Sequence, residues 1–138
     1  MLYLDTSAFL KLFVLEEHSV PLRSALRGRA AWSSVLLDVE THRAAIRLGL
    51  APEAVETALR TVSLVMPDAA TFALARALPP PALRTLDALH LATALELGED
   101  LDAVVTYDAR VAAGSAEAGL PVDSPGLPRF WWVAPTAS

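Results

Sequence analysis

The sequence has no cysteine and only one lysine, Lys11, among its 138 residues. The lack of cysteine excludes disulfides and thiolate metal sites, and it fits a cytoplasmic protein. No apolar run reaches the roughly 18 residues that a membrane helix needs, so no membrane association is expected. The N-terminus reads Met1-Leu2-Tyr3-Leu4-Asp5. It has neither a basic region nor a long apolar stretch, so no signal peptide is expected. There is no glycine-rich phosphate loop and no Gly-x-Ser-x-Gly motif, which removes two large enzyme classes. Positive charge is scarce: 11 basic residues face 16 acidic ones, for a formal charge of −5. Nucleic-acid binders are usually basic, because phosphate contacts need Lys or Arg. Here such contacts would depend on local arginines and on cations that offset clustered acids.

Apolar residues make up 54% of the chain, enough for a sizeable core, and the length suits one domain. Leu2-Tyr3-Leu4 reads as a strand ending at an acid. Ser7 to Leu15 reads as a helix with Ala8, Leu12 and Leu15 on one stripe. A short helix is expected from Pro21 to Leu26 and a strand from Ala30 to Ser33. Val35 to Leu48 reads as a helix stopped by Gly49, and Pro52 opens another to about Arg60. Val62 to Met66 is rich in Val and Leu and reads as a buried strand. Asp68 is an N-cap candidate for a helix to about Ala77. Pro79-Pro80-Pro81 marks a loop. Leu86 to Leu97 is apolar on nearly every side, which predicts a buried central helix ended by Gly98. Ala103 to Thr106 reads as a strand, Asp108 to Ala118 as a helix closed by Gly119, and Val122 as the start of an edge strand. Strands alternate with helices throughout. That pattern predicts an α/β fold with a mostly parallel sheet, in a domain spanning residues 1–124. Residues 125–138 form a tail carrying Phe130, Trp131 and Trp132, expected to pack on the domain or in a dimer interface.

Four acids carry the chemistry. In open α/β sheets, sites form beyond the carboxyl ends of the strands. Asp5 follows the first strand, and Asp108 follows the Ala103–Thr106 strand by two residues. Helix capping alone would account for either. Thr6-Ser7 and Thr106 place hydroxyls beside these carboxylates, as a hydrated cation site requires. Glu40 shares a helix face with Leu36 and Ala44, where an acid is costly unless paired or metal-bound. Ion pairs to Arg43 or Arg47 are the alternative for it. Asp87 opens the central apolar helix, where the macrodipole also favours an acid. Close carboxylates repel one another, and a cation among them relieves the repulsion. Oxygen-only ligands favour Mg²⁺ or Mn²⁺ over Zn²⁺. Such ions suit phosphodiester hydrolysis.

At these residues the sequence resembles the PIN-domain ribonucleases, specifically the VapC-type toxins of bacterial toxin–antitoxin pairs. The matching segments are LDTSAFLK, SSVLLDVETHRA, LRTLDALHLATALELG and VVTYDARVAAGSAEAGLPV. The resemblance implies a three-layer α/β/α sandwich and Mg²⁺- or Mn²⁺-dependent endoribonuclease activity. It implies that Asp5, Glu40, Asp87 and Asp108 bind metal, supported by Thr6 or Ser7 and by Thr106. It also implies a homodimer and a small VapB-like antitoxin that lays a peptide along the toxin and blocks the acidic pocket.

The remaining polar residues have simpler expectations. His90, three residues after Asp87, is expected to be a core histidine with one hydrogen bond. His42 is expected to point away from Glu40, His18 to lie in a loop and Asp38 to be solvated. Arg43, Arg47, Arg84 and Arg110 flank the acidic segments and are candidates for steering RNA phosphates. Leu10, Phe13, Val14 and Trp32 are candidates for an antitoxin groove, with core packing as the alternative. Two other functions compete. One is a phosphatase or phosphotransfer domain, disfavoured because Ser7 stands where a second acid is needed and no late lysine exists. The other is a non-catalytic PIN-like binding module.

Overall fold

The computed structural model describes residues 1–133. The elements run β1 (Leu2–Leu4), α1 (Thr6–Phe13), α2 (Ser19–Leu26), β2 (Ala31–Ser34), α3 (Leu36–Leu48), α4 (Pro52–Leu59), β3 (Ser63–Val65), α5 (Ala69–Ala75), α6 (Thr85–Glu96), β4 (Ala103–Val105), α7 (Ala109–Glu117) and β5 (Val122–Asp123). All strand pairs are parallel, in the order β3-β2-β1-β4-β5. The chain builds outward from β1 to one side through β2 and β3, then crosses to the other side for β4 and β5. The switch point therefore lies between β1 and β4, where Leu4 aligns with Val105. Ligand sites of parallel α/β sheets form at such a crevice.

Alternation along the central strands sorts the core into two layers. Leu2 and Leu4 of β1 and Ala103 and Val105 of β4 face a cluster with Phe9, Leu22, Leu37 and Val55 from α1 to α4. Tyr3 and Val104 face the opposite side, against Ala94 of α6 and Val111 of α7. This is the expected α/β/α sandwich. Each fully buried Leu, Val or Phe contributes about 1.5–3 kcal/mol. Every residue of α6 from Ala88 to Ala94 is buried, as its all-round apolar pattern predicts. Its outer flank packs on α5 through Ala75, Ala88, Leu89 and Ala92.

Three expectations are corrected. First, α1 ends at Phe13 because Val14 turns extended while its N–H still donates to Leu10 O, so Leu15 leaves the stripe and is 73% exposed. Second, α2 begins at Ser19, not Pro21. Proline fits within the first turn, where its missing N–H has no helical partner to lose. His18 is the left-handed residue before it. Third, β3 is not a buried strand: among the described residues it pairs only with β2, Ser63 is exposed, and Met66 beyond it is 72% exposed. Its apolar content reads the same at a sheet edge as at the centre.

The segment after β5 is anchored to the domain by specific bonds. Ser124 Oγ donates to Thr106 O at 2.5 Å, and Tyr107 OH donates to Pro125 O at 2.6 Å. The Tyr107 ring stacks on His18 with centroids 5.6 Å apart and carries the Lys11 ammonium 4.9 Å from its centroid. Phe13 packs against the sheet core, and Leu10, Val14 and Trp32 are half-buried. Trp131 and Trp132 are half-buried and meet edge-on, while Phe130 is exposed. The end of the tail, 134–138, lies outside the described residues. Among the described residues, no helix is long and apolar enough to cross a membrane.

Candidate active site

Asp5 sits at the switch point, directly after β1, and is buried. Extended backbone makes it the N-cap of α1, and its Oδ1 accepts from Ala8 N at 3.0 Å and from Ser7 Oγ at 2.7 Å. Its Oδ2 accepts from Thr106 Oγ1, one residue past β4, at 2.5 Å. Ser7 Oγ in turn accepts from Tyr107 N at 2.9 Å. The two hydroxyls thus tie α1 to the end of β4 through one carboxylate. Burial raises the Asp5 pKa, and the bonds from Thr106, Ser7 and Ala8 and the nearby His90 partly oppose the rise.

Asp108 repeats the pattern on β4. It is the N-cap of α7, with Oδ1 accepting from Arg110 N at 2.8 Å and Val111 N at 3.3 Å. Both candidate acids that follow strands are therefore caps. Capping engages one oxygen of each and leaves Oδ2 for other contacts. Asp108 Oδ2 lies 3.4 Å from Arg84 Nη2, and Arg84 Nε donates to Asp87 Oδ2 at 3.1 Å. These pairs raise the Arg84 pKa, the hydrogen bond to Asp87 most. Asp87 stands in the first turn of α6, as the macrodipole favours.

Glu40 shares a cleft of about 330 Å³ with Arg84, Thr85, Leu86 and Asp87. Its partner is neither Arg43 nor Arg47, both of which are exposed, but His90. His90 Nε2 lies 2.6 Å from Glu40 Oε1, and its Nδ1 lies 2.7 Å from Tyr3 OH. Thr6 Oγ1 approaches the same Nε2 at 3.5 Å. Burial raises the Tyr3 pKa, so the phenol keeps its proton. A carboxylate only accepts, so Nε2 carries the hydrogen toward Glu40, while the Tyr3 OH–Nδ1 bond holds the other side of the ring. His90 is thus buried as expected, but it makes two strong bonds rather than one and positions an acid. The residues it joins stand on β1 and α3, so spacing along the sequence gave no signal for it.

The four acids fall into two linked pairs. Asp87 and Asp108 are bridged by Arg84, and Glu40 is joined through His90 to Thr6, the neighbour of Asp5. The donor set is all oxygen, with hydroxyls alongside, which fits a hard divalent cation. As they stand, these acids do not close into one direct coordination shell. Among the described residues, Asp38, His42 and Glu56 are the one group of three whose ligand atoms all lie within 4.8 Å of one another. That group is on the surface, and Asp38 and His42 lie on the opposite face of α3 from Glu40, about 200° round the helix. Mg²⁺ keeps several waters and needs only one or two direct carboxylates, so the acidic cleft suits it without closing.

A parallel α/β/α sandwich with acids just beyond its central strands and at neighbouring helices is the architecture of a PIN domain. The chain belongs to the PIN domain family, which it matches over residues 2–115. It is similar to two proteins of Mycobacterium tuberculosis. One is Ribonuclease VapC46 (strain ATCC 25618 / H37Rv), 43% identical over 126 residues that cover 90% of this chain and 97% of the relative. The other is Ribonuclease VapC47 (strain CDC 1551 / Oshkosh), 37% identical over 137 residues that cover 94% of this chain and all of the relative. The fold is also that of a chain in a toxin-antitoxin complex from Klebsiella pneumoniae, with a TM-score of 0.67. That match is 21% identical in sequence and covers 91% of this chain and 98% of the other.

Proposed function

We propose that this protein is an endoribonuclease that hydrolyses RNA phosphodiester bonds with the help of Mg²⁺ or Mn²⁺, as the toxin of a toxin–antitoxin pair. The observation that carries this reading is the buried Asp5 carboxylate at the switch point, held by Ser7 and Thr106, with His90 joining the adjacent Thr6 to Glu40. The relatives named as VapC ribonucleases support it over nearly the whole chain. Asp5, Glu40, Asp87 and Asp108 would hold the cation, directly or through water. When bound, the cation would activate a water and offset charge on the phosphodiester. Ser7 and Thr106 orient Asp5, and His90 orients Glu40. Arg110, two residues after Asp108 at the start of α7, is exposed and would meet the phosphate. The acidic net charge restricts RNA contact to such local arginines.

The partners that follow are RNA, a small VapB-like antitoxin that covers the acidic cleft, and a second copy of the chain. Val39 and Ile46, seven residues apart on one face of α3, are 64% and 70% exposed and offer apolar area for association. The deciding experiment measures cleavage of total RNA in Mg²⁺ by the wild type, Asp5→Asn and Asp87→Ala. Each substitution is expected to slow cutting roughly 100-fold or more, and a chelator to abolish it in the wild type. Wild-type rates in both variants would remove the metal-site assignment. Loss of cutting with retained RNA binding in the wild type itself would favour a non-catalytic binding module.

A further inference from the structure

Arg84 is the N-cap residue of α6, and its extended backbone lets the side chain fold back over the first turn. The guanidinium spans two carboxylates from different elements: Nε donates to Asp87 Oδ2 and Nη2 reaches Asp108 Oδ2. Asp108 Oδ2 is the oxygen not engaged in capping α7. The acids are sheltered, with side chains 14% and 25% exposed, whereas Arg84 is 62% exposed. Asp108 is fixed by its cap, and the guanidinium stands at the rim. An exposed guanidinium held by pairs of this kind is weakly bound, because water competes for it. A hard divalent cation approaching the cleft needs the same oxygens.

We infer that Arg84 is a displaceable internal counter-ion: its pairing with Asp87 and Asp108 and the binding of a divalent cation by those two acids exclude one another. The inference rests on the cation-site reading above and adds how that site is regulated. Without a cation, Arg84 neutralises two close carboxylates and keeps them in place. With one, the side chain is released to the rim of the cleft. Arg84 thereby sets the cation concentration at which the site fills, and it does so without touching the metal.

The test is Mn²⁺ affinity, read from the paramagnetic resonance signal of the free ion. All variants carry His42→Ala, so that the Asp38–His42–Glu56 group does not contribute. Arg84→Gln is expected to bind Mn²⁺ about three- to tenfold more tightly than the parent. Arg84→Lys, which keeps the charge, should remain near the parent. Arg60→Gln, an exposed arginine outside the cleft, corrects for the general loss of one positive charge. In a second readout, the Arg84 Nε–H resonance should shift to a solvent-exchanging position as Mg²⁺ saturates the wild type. Equal Mn²⁺ affinity in Arg84→Gln and Arg60→Gln, or an unmoved Arg84 resonance at saturation, would overturn the counter-ion role and leave the cation site standing. Absence of cleft binding in every variant would overturn both.

Discussion

Tyr3→Phe isolates the bond that begins the Tyr3–His90–Glu40 chain. It deletes one oxygen and preserves the ring that packs against Ala94 and Val104. What remains is His90 Nδ1, on a residue only 2% exposed, facing a hydrocarbon edge. The partner is lost whichever of the two groups donates. A buried polar atom left without its partner costs about 1–3 kcal/mol. A central value of about 2 kcal/mol lowers Tm by roughly 6–10 °C in a domain of this size. Thermal and urea unfolding in chelator measure it. The same variant tests whether the chain acts as a unit. Glu40→Ala removes the acceptor from the other ring nitrogen, and the two substitutions share only His90. Their effects should couple by more than about 0.5 kcal/mol in a double-mutant cycle. Strict additivity, or a Tyr3→Phe variant as stable as the wild type, would refute the claim that His90 transmits position from β1 to Glu40.

Two further predictions concern the cost of the site and the anchoring of the tail. Burial raises the Asp5 pKa, so the fold disfavours the ionised form and binds a proton there more readily than the unfolded chain. Asp5 ionisation therefore costs stability above its folded pKa, and this cost disappears as pH falls through that value toward the unfolded one. In chelator, Asp5→Asn should be more stable than the wild type at pH 8, with the advantage shrinking on acidification; an advantage independent of pH would refute the cause. Gly126 has φ +96, and a Cβ there would lie 2.9 Å from both His18 Cδ2 and Pro21 Cγ. Gly126→Ala should cost about 1–3 kcal/mol, seen as a lower urea midpoint, and an unchanged midpoint would show that this turn does not bear on the body of the domain.

The fold was legible because each local signal is a packing requirement. Alternating strands and helices leave few topologies once crossovers must be right-handed. The nearly all-round apolar surface of α6 predicted a central buried helix, and Ala88 to Ala94 are all buried. Asp5 and Asp108 were legible because strand ends in a parallel sheet converge. What stayed hidden was relational. Glu40 was visibly out of place on its helix face, but local spacing nominated Arg43 and Arg47 as partners. The true partner, His90, comes from a helix 50 residues away. His90 read as an ordinary core histidine because nothing near it in sequence discloses Tyr3 and Glu40. Arg84 likewise read as a candidate for steering RNA phosphates, not as a partner of the acids. Its pairing with Asp108 depends on α6 and α7 starting side by side, which no helical periodicity encodes.

Capping and chemistry are compatible at Asp5 and Asp108 because a carboxylate has two oxygens that face different ways. Oδ1 satisfies the orphan N–H groups of a helix start, and this fixes the side-chain rotamer. Oδ2 is then aimed by the cap rather than by the site: at Thr106 in one case, and at the Arg84 guanidinium in the other. The two positions pay differently for this arrangement. Asp108 is partly exposed and gains a cation, so its charge is balanced before any metal arrives. Asp5 is buried, receives only neutral donors, and has its ionised form disfavoured. A cation near Asp5 would therefore relieve strain that the fold alone does not, whereas at Asp108 it must first evict Arg84. In the proposed site, Asp5 would be the acid that gains most from a cation, and the Asp87–Arg84–Asp108 bridge the one that a cation must open.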